Sequence, residues 1–199
     1  MSPRKSAVET AATRTRIIEC ALTLASAEGL EGVTIGRLAA ELGMSKAGVI
    51  GHFGTKEALQ LAALDAAIER FRARVPARVA GADPGAARLA RAFGEWIASM
   101  TDAEENAGCF ITSVATEFDG RPGPVRDAVL AALASWADYV AAELRAAVEA
   151  GDLPADTDVD QLVFELNGVV LAAEQAIQLH RDPTAPARAR RAIDRLLGR

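Results

Sequence analysis

TIGRLAAELGMSKAGVIGHFGTK, residues 34–56, decides how the rest of the chain is read. Thr34 has the side chain that caps a helix by accepting an orphan amide hydrogen of its first turn. Ile35, Leu38, Ala39 and Leu42 follow at helical spacing and form one apolar stripe. Gly43 comes directly after Leu42, where a left-handed residue commonly ends a helix. Met44 supplies a buried anchor in the turn, and Ser45 caps a second helix over 46–53. Val49 and Phe53 lie four apart, so one face of that helix packs inward. Lys46, Ala47, Gly48, Ile50, Gly51 and His52 are left to face outward. Small residues there permit close approach to a groove or a backbone. Gly54 ends the helix, Thr55 caps the next one, and Lys56 lies in its first turn, where a helix N-terminus and a positive charge suit a phosphate. Two short helices joined by a tight turn are the pattern of a helix-turn-helix that reads DNA.

Charge is divided along the chain in the same sense. Residues 1–75 hold 10 Lys+Arg and 8 Asp+Glu, net +2, whereas residues 76–199 hold 12 and 19, net −7. A positive N-terminal part suits a polyanion, and Arg37 joins the candidate contacts. Arg14 and Arg16 are further candidates for the phosphate backbone, while Arg4 and Lys5 read as a solvated tail.

The run TIGRLAAELGMSKAGVIGHFGTKEAL resembles the N-terminal domain of the TetR family of bacterial transcriptional regulators. The matching elements are Thr34, LAAELGMSK at 38–46, His52-Phe53 and KEAL at 56–59. The preceding TRTRIIECALTLASAEGLEGVTI also has the family's spacing before Thr34. At Ile50 the sequence departs from the family, which usually carries an aromatic residue there. The resemblance implies an all-α fold, with a DNA-binding head over 1–55 and a ligand-binding and dimerisation body over 56–199. It also implies a homodimer on a palindromic double-stranded DNA operator, and a small-molecule effector in the body.

Composition agrees with an all-α chain. Half of the residues are hydrophobic and a quarter charged. The apolar periodicity predicts about nine helices: 13–28, 35–42, 46–53, 55–75, one opening at Pro84, then 106–118, 124–150, 158–180 and 184–197. Residues 1–5 lead into no apolar h-region, and the purest apolar stretch, 168–173, is far too short to span a bilayer. Two cysteines without a CxxC spacing fit a reducing cytoplasm, so a cytoplasmic protein with no membrane partner is expected.

Within the body, polar residues interrupt apolar stripes, as they do in ligand cavities. The candidate pocket set is Phe93, Trp96, Ile97, Met100, Phe110, Ser113, Trp136, Tyr139, Phe164, Asn167, Leu171 and Glu174. The same aromatics also read as an ordinary helical core. Leu162, Glu165, Val169, Ala172, Ala176 and Leu179, with Ala189, Ile193, Leu196 and Leu197, are the candidate dimer surface on the eighth and ninth helices. No HExxH, GxSxG, P-loop or GxGxxG pattern is present, so neither an enzyme, a metal site nor a cofactor is expected. Two alternatives follow from single features. Cys109 near a helix start suggests a thiol-based redox-responsive regulator, and Ile50 with Gly51 suggests a helical dimer that has lost specific DNA binding.

Overall fold

The computed structural model describes residues 7–101 and 109–199. Among them the chain forms ten helices and no strand: α1 Ala7–Glu28, α2 Ile35–Leu42, α3 Lys46–Phe53, α4 Lys56–Arg74, α5 Pro76–Val79, α6 Ala86–Ser99, α7 Phe110–Phe118, α8 Pro124–Ala150, α9 Val159–Gln178 and α10 Ala185–Leu196. The all-α expectation holds. α1 begins six residues earlier than the expected start at 13, because the exposed run from Ala7 onward contains no helix breaker. The additional element is the single-turn α5, opened by Pro76. The helix expected from Pro84 starts at Ala86. Gly85, at φ 123°, stands before it and donates its amide to the Glu143 carboxylate at 3.0 Å. The expected start of the sixth helix at 106–108, and Arg4 and Lys5, lie outside the described residues.

Buried side chains gather in two clusters. The head cluster holds Ile17, Leu30, Leu38, Val49, Leu59 and Leu64, all essentially without solvent contact. It does not stop at the DNA-reading helices. Val114 and Phe118 of α7 and Val125 and Val129 of α8 complete it. The body cluster is built from Leu89, Phe93 and Ile97 of α6, Val140 and Leu144 of α8, Leu166 and Val170 of α9, and Ile193 of α10. Ile68 of α4 packs against both clusters, so α4 is structurally continuous with each.

A buried ion pair pins the body. Glu143 is 3% exposed and accepts from Arg88 Nε at 3.0 Å, while its other oxygen takes Arg88 Nη2. Arg88 Nη1 also donates to the Ala82 carbonyl at 3.1 Å. Burying a charge is costly unless it is paired and hydrogen-bonded, and here both partners are. The pair ties the loop before α6 to the middle of α8.

Leu166 is fully buried among α6, α8 and α10. Leu166→Ala is expected to lower the unfolding free energy by about 2–5 kcal/mol, because the rigid surroundings leave a cavity. Urea denaturation followed by circular dichroism measures it.

Candidate DNA-reading head and effector cavity

Three hydroxyls set the geometry of the head. Thr34 Oγ1 accepts from the Arg37 amide at 3.2 Å, Ser45 Oγ from the Gly48 amide at 3.0 Å and Thr55 Oγ1 from the Ala58 amide at 3.0 Å. Each opens a helix, and Gly43 at φ 62° closes α2 in the left-handed conformation that favours glycine. The turn between α2 and α3 is thereby fixed at both ends. Arg14 lies over the Phe53 ring, 4.8 Å from its centroid, and holds α1 against the end of α3.

α3 buries Val49 and leaves Lys46, Ala47, Ile50 and Gly51 exposed, with Gly48 and His52 half-buried. A methyl group added at Gly51 would meet nothing within 4 Å, so the chain's own packing does not demand glycine there. The Lys46 side chain runs along the start of α2, where its Cε would stand 3.3 Å from a Cβ on Gly36. Two other cations expected at DNA have partners within the head. Lys56 Nζ donates to the Glu31 carbonyl at 2.7 Å and to Glu31 Oε1 at 2.9 Å. Arg37 bridges Glu28 and Glu41 at 3.3 Å each. Lys56 therefore closes the α1–α2 loop. This follows from Glu31, whose carboxyl the Lys56 and Gln60 hydrogen bonds hold below its ordinary range.

One carboxylate of the body is hydrogen-bonded to the head's α1–α2 loop. Glu117, near the end of α7, accepts from the Leu30 amide at 2.8 Å and from the Glu31 amide at 2.7 Å. Gly29, at φ 81°, makes room for it, since a Cβ there would stand 3.1 Å from the carboxylate. Nothing local in the sequence marks Glu117, because its partners are more than eighty residues away.

The opposite end of α7 borders a cavity of about 500 Å³. Cys109, Ile111 and Thr112 form one wall, Ile68 and Phe71 of α4 another, Trp96 of α6 a third, and Leu133, Trp136 and Tyr139 of α8 a fourth. Phe71, Trp96 and Trp136 meet edge to face with centroids 5.1–5.3 Å apart. Of the residues expected to line a pocket, Trp96, Trp136 and Tyr139 do. Phe93, Ile97 and Met100 are fully buried in the core behind it. Phe110 borders a neighbouring cleft beside α1, and Ser113 faces outward. Asn167 is occupied, its Oδ1 accepting from Trp136 Nε1 at 3.0 Å. Phe164 and Leu171 correct the expectation most clearly, being 74% and 52% exposed on the outer side of α9. Ile68, Phe71, Arg88, Ile111, Thr112 and Leu133 were missed. For the α8 residues the usable signal was the spacing of Leu133, Trp136 and Tyr139.

Glu174 is buried and accepts from the Cys109 amide at 2.9 Å. Burial pushes its carboxyl up, against the lowering effect of that amide and of Thr112. Cys109 is buried as well, and desolvation raises its thiol above the ordinary value. Thiolate, not thiol, is the reactive form, and burial at Cys109 disfavours it.

A family model described as "Bacterial regulatory proteins, tetR family" matches residues 17–63. Another, "Tetracyclin repressor-like, C-terminal domain", matches residues 85–193, more than half of the chain. The chain belongs to the TetR family. It is a DNA-binding transcriptional regulator with an N-terminal helix-turn-helix. No curated protein matches the TetR-family chain by sequence. Among solved structures, a TetR regulator from Chloroflexus aurantiacus is 24% identical with a TM-score of 0.85, covering 93% of each chain. A transcriptional regulator from Saccharomonospora viridis in complex with choline is 23% identical, TM-score 0.81, over 94% of this chain and 96% of that one. AibR in complex with isovaleryl coenzyme A and operator DNA is 22% identical, TM-score 0.77, over 93% and 98%. At these identities the likeness establishes the fold. Among the described residues of this TetR-family chain, no helix is long and apolar enough to cross a membrane.

Glu117→Ala is expected to speed hydrogen exchange at the Leu30 and Glu31 amides and to lower stability by about 1–2 kcal/mol, since two amides lose a carboxylate acceptor. Exchange mass spectrometry of the α1–α2 loop measures the local effect; unchanged protection would remove Glu117 from the joint.

Proposed function

We propose that this TetR-family chain is a homodimeric repressor, released from a palindromic operator by a small molecule in the α4–α6–α7–α8 cavity. The observation that carries the reading is the position of α7. Its first turn borders the cavity through Cys109, Ile111 and Thr112, and its last turn holds the head through Glu117 and Phe118. A ligand that favours one position of α7 over another thereby favours one position of the head, and only such differential binding shifts the equilibrium. AibR, in complex with isovaleryl coenzyme A and operator DNA, is a protein of the same fold that takes both a small molecule and an operator.

In this reading α3 enters the major groove. Lys46, Ala47, Gly48, Ile50 and Gly51 face the bases, and the hydroxyls of Ser45 and Thr55, His52 and the start of α4 lie toward the phosphates. Ile50, 43% exposed, offers apolar contact suited to a thymine methyl. Thr34 and Arg37 border the backbone from α2. Two heads reach successive major grooves only when held about 34–36 Å apart, which calls for a dimer.

The dimer surface we propose is the outer face of α9 with the adjoining side of α10. Phe164, Leu171 and Leu179 are 74%, 52% and 71% exposed there, at spacings of seven and eight residues. Gly168 and Ala172 lie between them and permit close helix approach. Leu162, Ala189, Ile193 and Leu197, expected in the contact, are buried in the protomer's own core. Glu165, Val169, Ala172 and Leu196 border an open groove between α9 and α10.

A gel shift against random-sequence competitor tests specific binding, and equal affinity for every sequence would defeat it. Lys46→Ala is expected to weaken operator binding and to reduce the slope of log K against log salt by about one. The double variant Phe164→Glu, Leu171→Glu is expected to sediment as a monomer while keeping its helical circular dichroism. A dimer persisting at micromolar concentration would place the contact elsewhere.

A further inference from the structure

The cations of the head fall into two groups. Lys56 is held by the carbonyl and carboxylate of Glu31, Arg37 lies between Glu28 and Glu41, and Arg70 pairs with Glu19. Arg14, Arg16 and Lys46 make no ion pair among the described residues. Lys46 belongs to α3. Arg14 and Arg16 both lie at the start of α1, where residues 7–16 are exposed apart from the half-buried Thr13.

Sequence alone gives those two arginines equal standing, and the structure does not. Arg14 stands over the Phe53 ring, its guanidinium carbon 4.8 Å from the centroid. Phe53 is the last residue of α3, and Thr55, two residues on, caps α4. The ammonium of Lys56 is turned to the α1–α2 loop, so the cation standing at the α3–α4 junction is Arg14. Residues two apart on a helix point about 200° away from each other, which directs Arg16 away from Phe53. The ring holds the Arg14 guanidinium by its π-face and takes none of its N–H groups in a carboxylate-type bond. Those donors stay open to an acceptor outside the chain. A planar fork fixed in advance gives up less freedom when it meets a phosphate than a free side chain does.

We propose that Arg14 is a DNA-phosphate contact of the head, and that Phe53 serves DNA binding by fixing where its guanidinium stands. The proposal rests on the operator-binding reading of α3. It adds a residue of α1 to the interface and names the side chain that positions it.

The test measures binding by the full-length protein across a range of salt, on a duplex that the wild-type protein selects from a random-sequence pool. Arg14→Ala is expected to weaken binding at least about tenfold, the loss of a charged hydrogen bond. It is also expected to lower the slope of log K against log salt by about 0.9 for each head. Arg14→Lys keeps the charge and loses the planar fork, so the slope is expected to stay while affinity falls about threefold. Phe53→Leu is expected to weaken binding by a similar factor in the wild-type background and no further in Arg14→Ala, where the ring has no guanidinium to hold. Arg16→Ala removes an equal charge from the other side of α1 and is expected to lower the slope by less than half as much as Arg14→Ala.

An unchanged slope in Arg14→Ala, or an equal drop in Arg16→Ala, would overturn the phosphate contact and leave the operator reading in place. Equal losses for Phe53→Leu in both backgrounds would overturn the positioning role and reduce the ring to packing. If circular dichroism shows that Phe53→Leu does not fold, wild-type affinity in Arg14→Lys overturns that role instead. Selection of no sequence from the pool would defeat the operator reading, and the proposal with it.

Discussion

The carboxylate of Glu117 ties the head to the body beside the apolar surface that α7 and α8 lend to the head's core. Both of its oxygens accept backbone amides from the α1–α2 loop, at Leu30 and Glu31. Those amides follow the end of α1, where helix geometry leaves them without an intrahelical role. A carboxylate that accepts two amides is among the stronger hydrogen-bond arrangements available to a protein surface. Glu31 in turn holds Lys56 and Gln60. One side chain from α7 thus organises the loop that leads into α2 and, through Glu31, the start of α4. α7 is thereby hydrogen-bonded to the loop that leads into the DNA-reading pair.

The electrostatics of the body follow a complementary logic. Arg88 and Glu143 neutralise each other at the rim of the cavity, and Glu174 is buried with its carboxyl pushed toward the neutral form. The buried aromatic cluster therefore sits in an environment of low net charge. Trp136 gives its N–H to Asn167, whereas Trp96, its edge-to-face neighbour, is set against the softer Cys109 sulfur.

Local chemistry made the head legible from the residues. Ser and Thr at three helix starts and Gly43 at one helix end act through bonds to backbone within four residues, so their meaning is carried by adjacent positions. The long helices α8 and α9 were legible in extent for the same reason: Gly151 closes one and Asp158 opens the other. Orientation was harder. α9 is apolar on most of its circumference, so nothing in its periodicity separates Phe164 and Leu171, which face out, from Leu166 and Val170, which face in. The roles of Lys56, Arg37 and Glu117 depend on partners supplied by the tertiary fold. A lysine suited to a phosphate and a lysine held by Glu31 look alike in a sequence. Asn167 was visible as a polar interruption, but its partner Trp136 lies on a different helix.

α8 has a consequence for how this protein can be taken apart. At 27 residues it is about 40 Å long, and it contributes Val125 and Val129 to the head's core and Val140, Leu144 and Ala147 to the body's. A head cut away at residue 55 would lose Leu59, Leu64, Val114, Phe118, Val125 and Val129, a large share of its buried apolar surface. The DNA-reading unit is therefore not a portable module. Grafted onto the body of a distant relative, it would need that relative's α7 and α8 to offer the same apolar surface, and chimeras of this fold should exchange the head together with the helix ends that roof it.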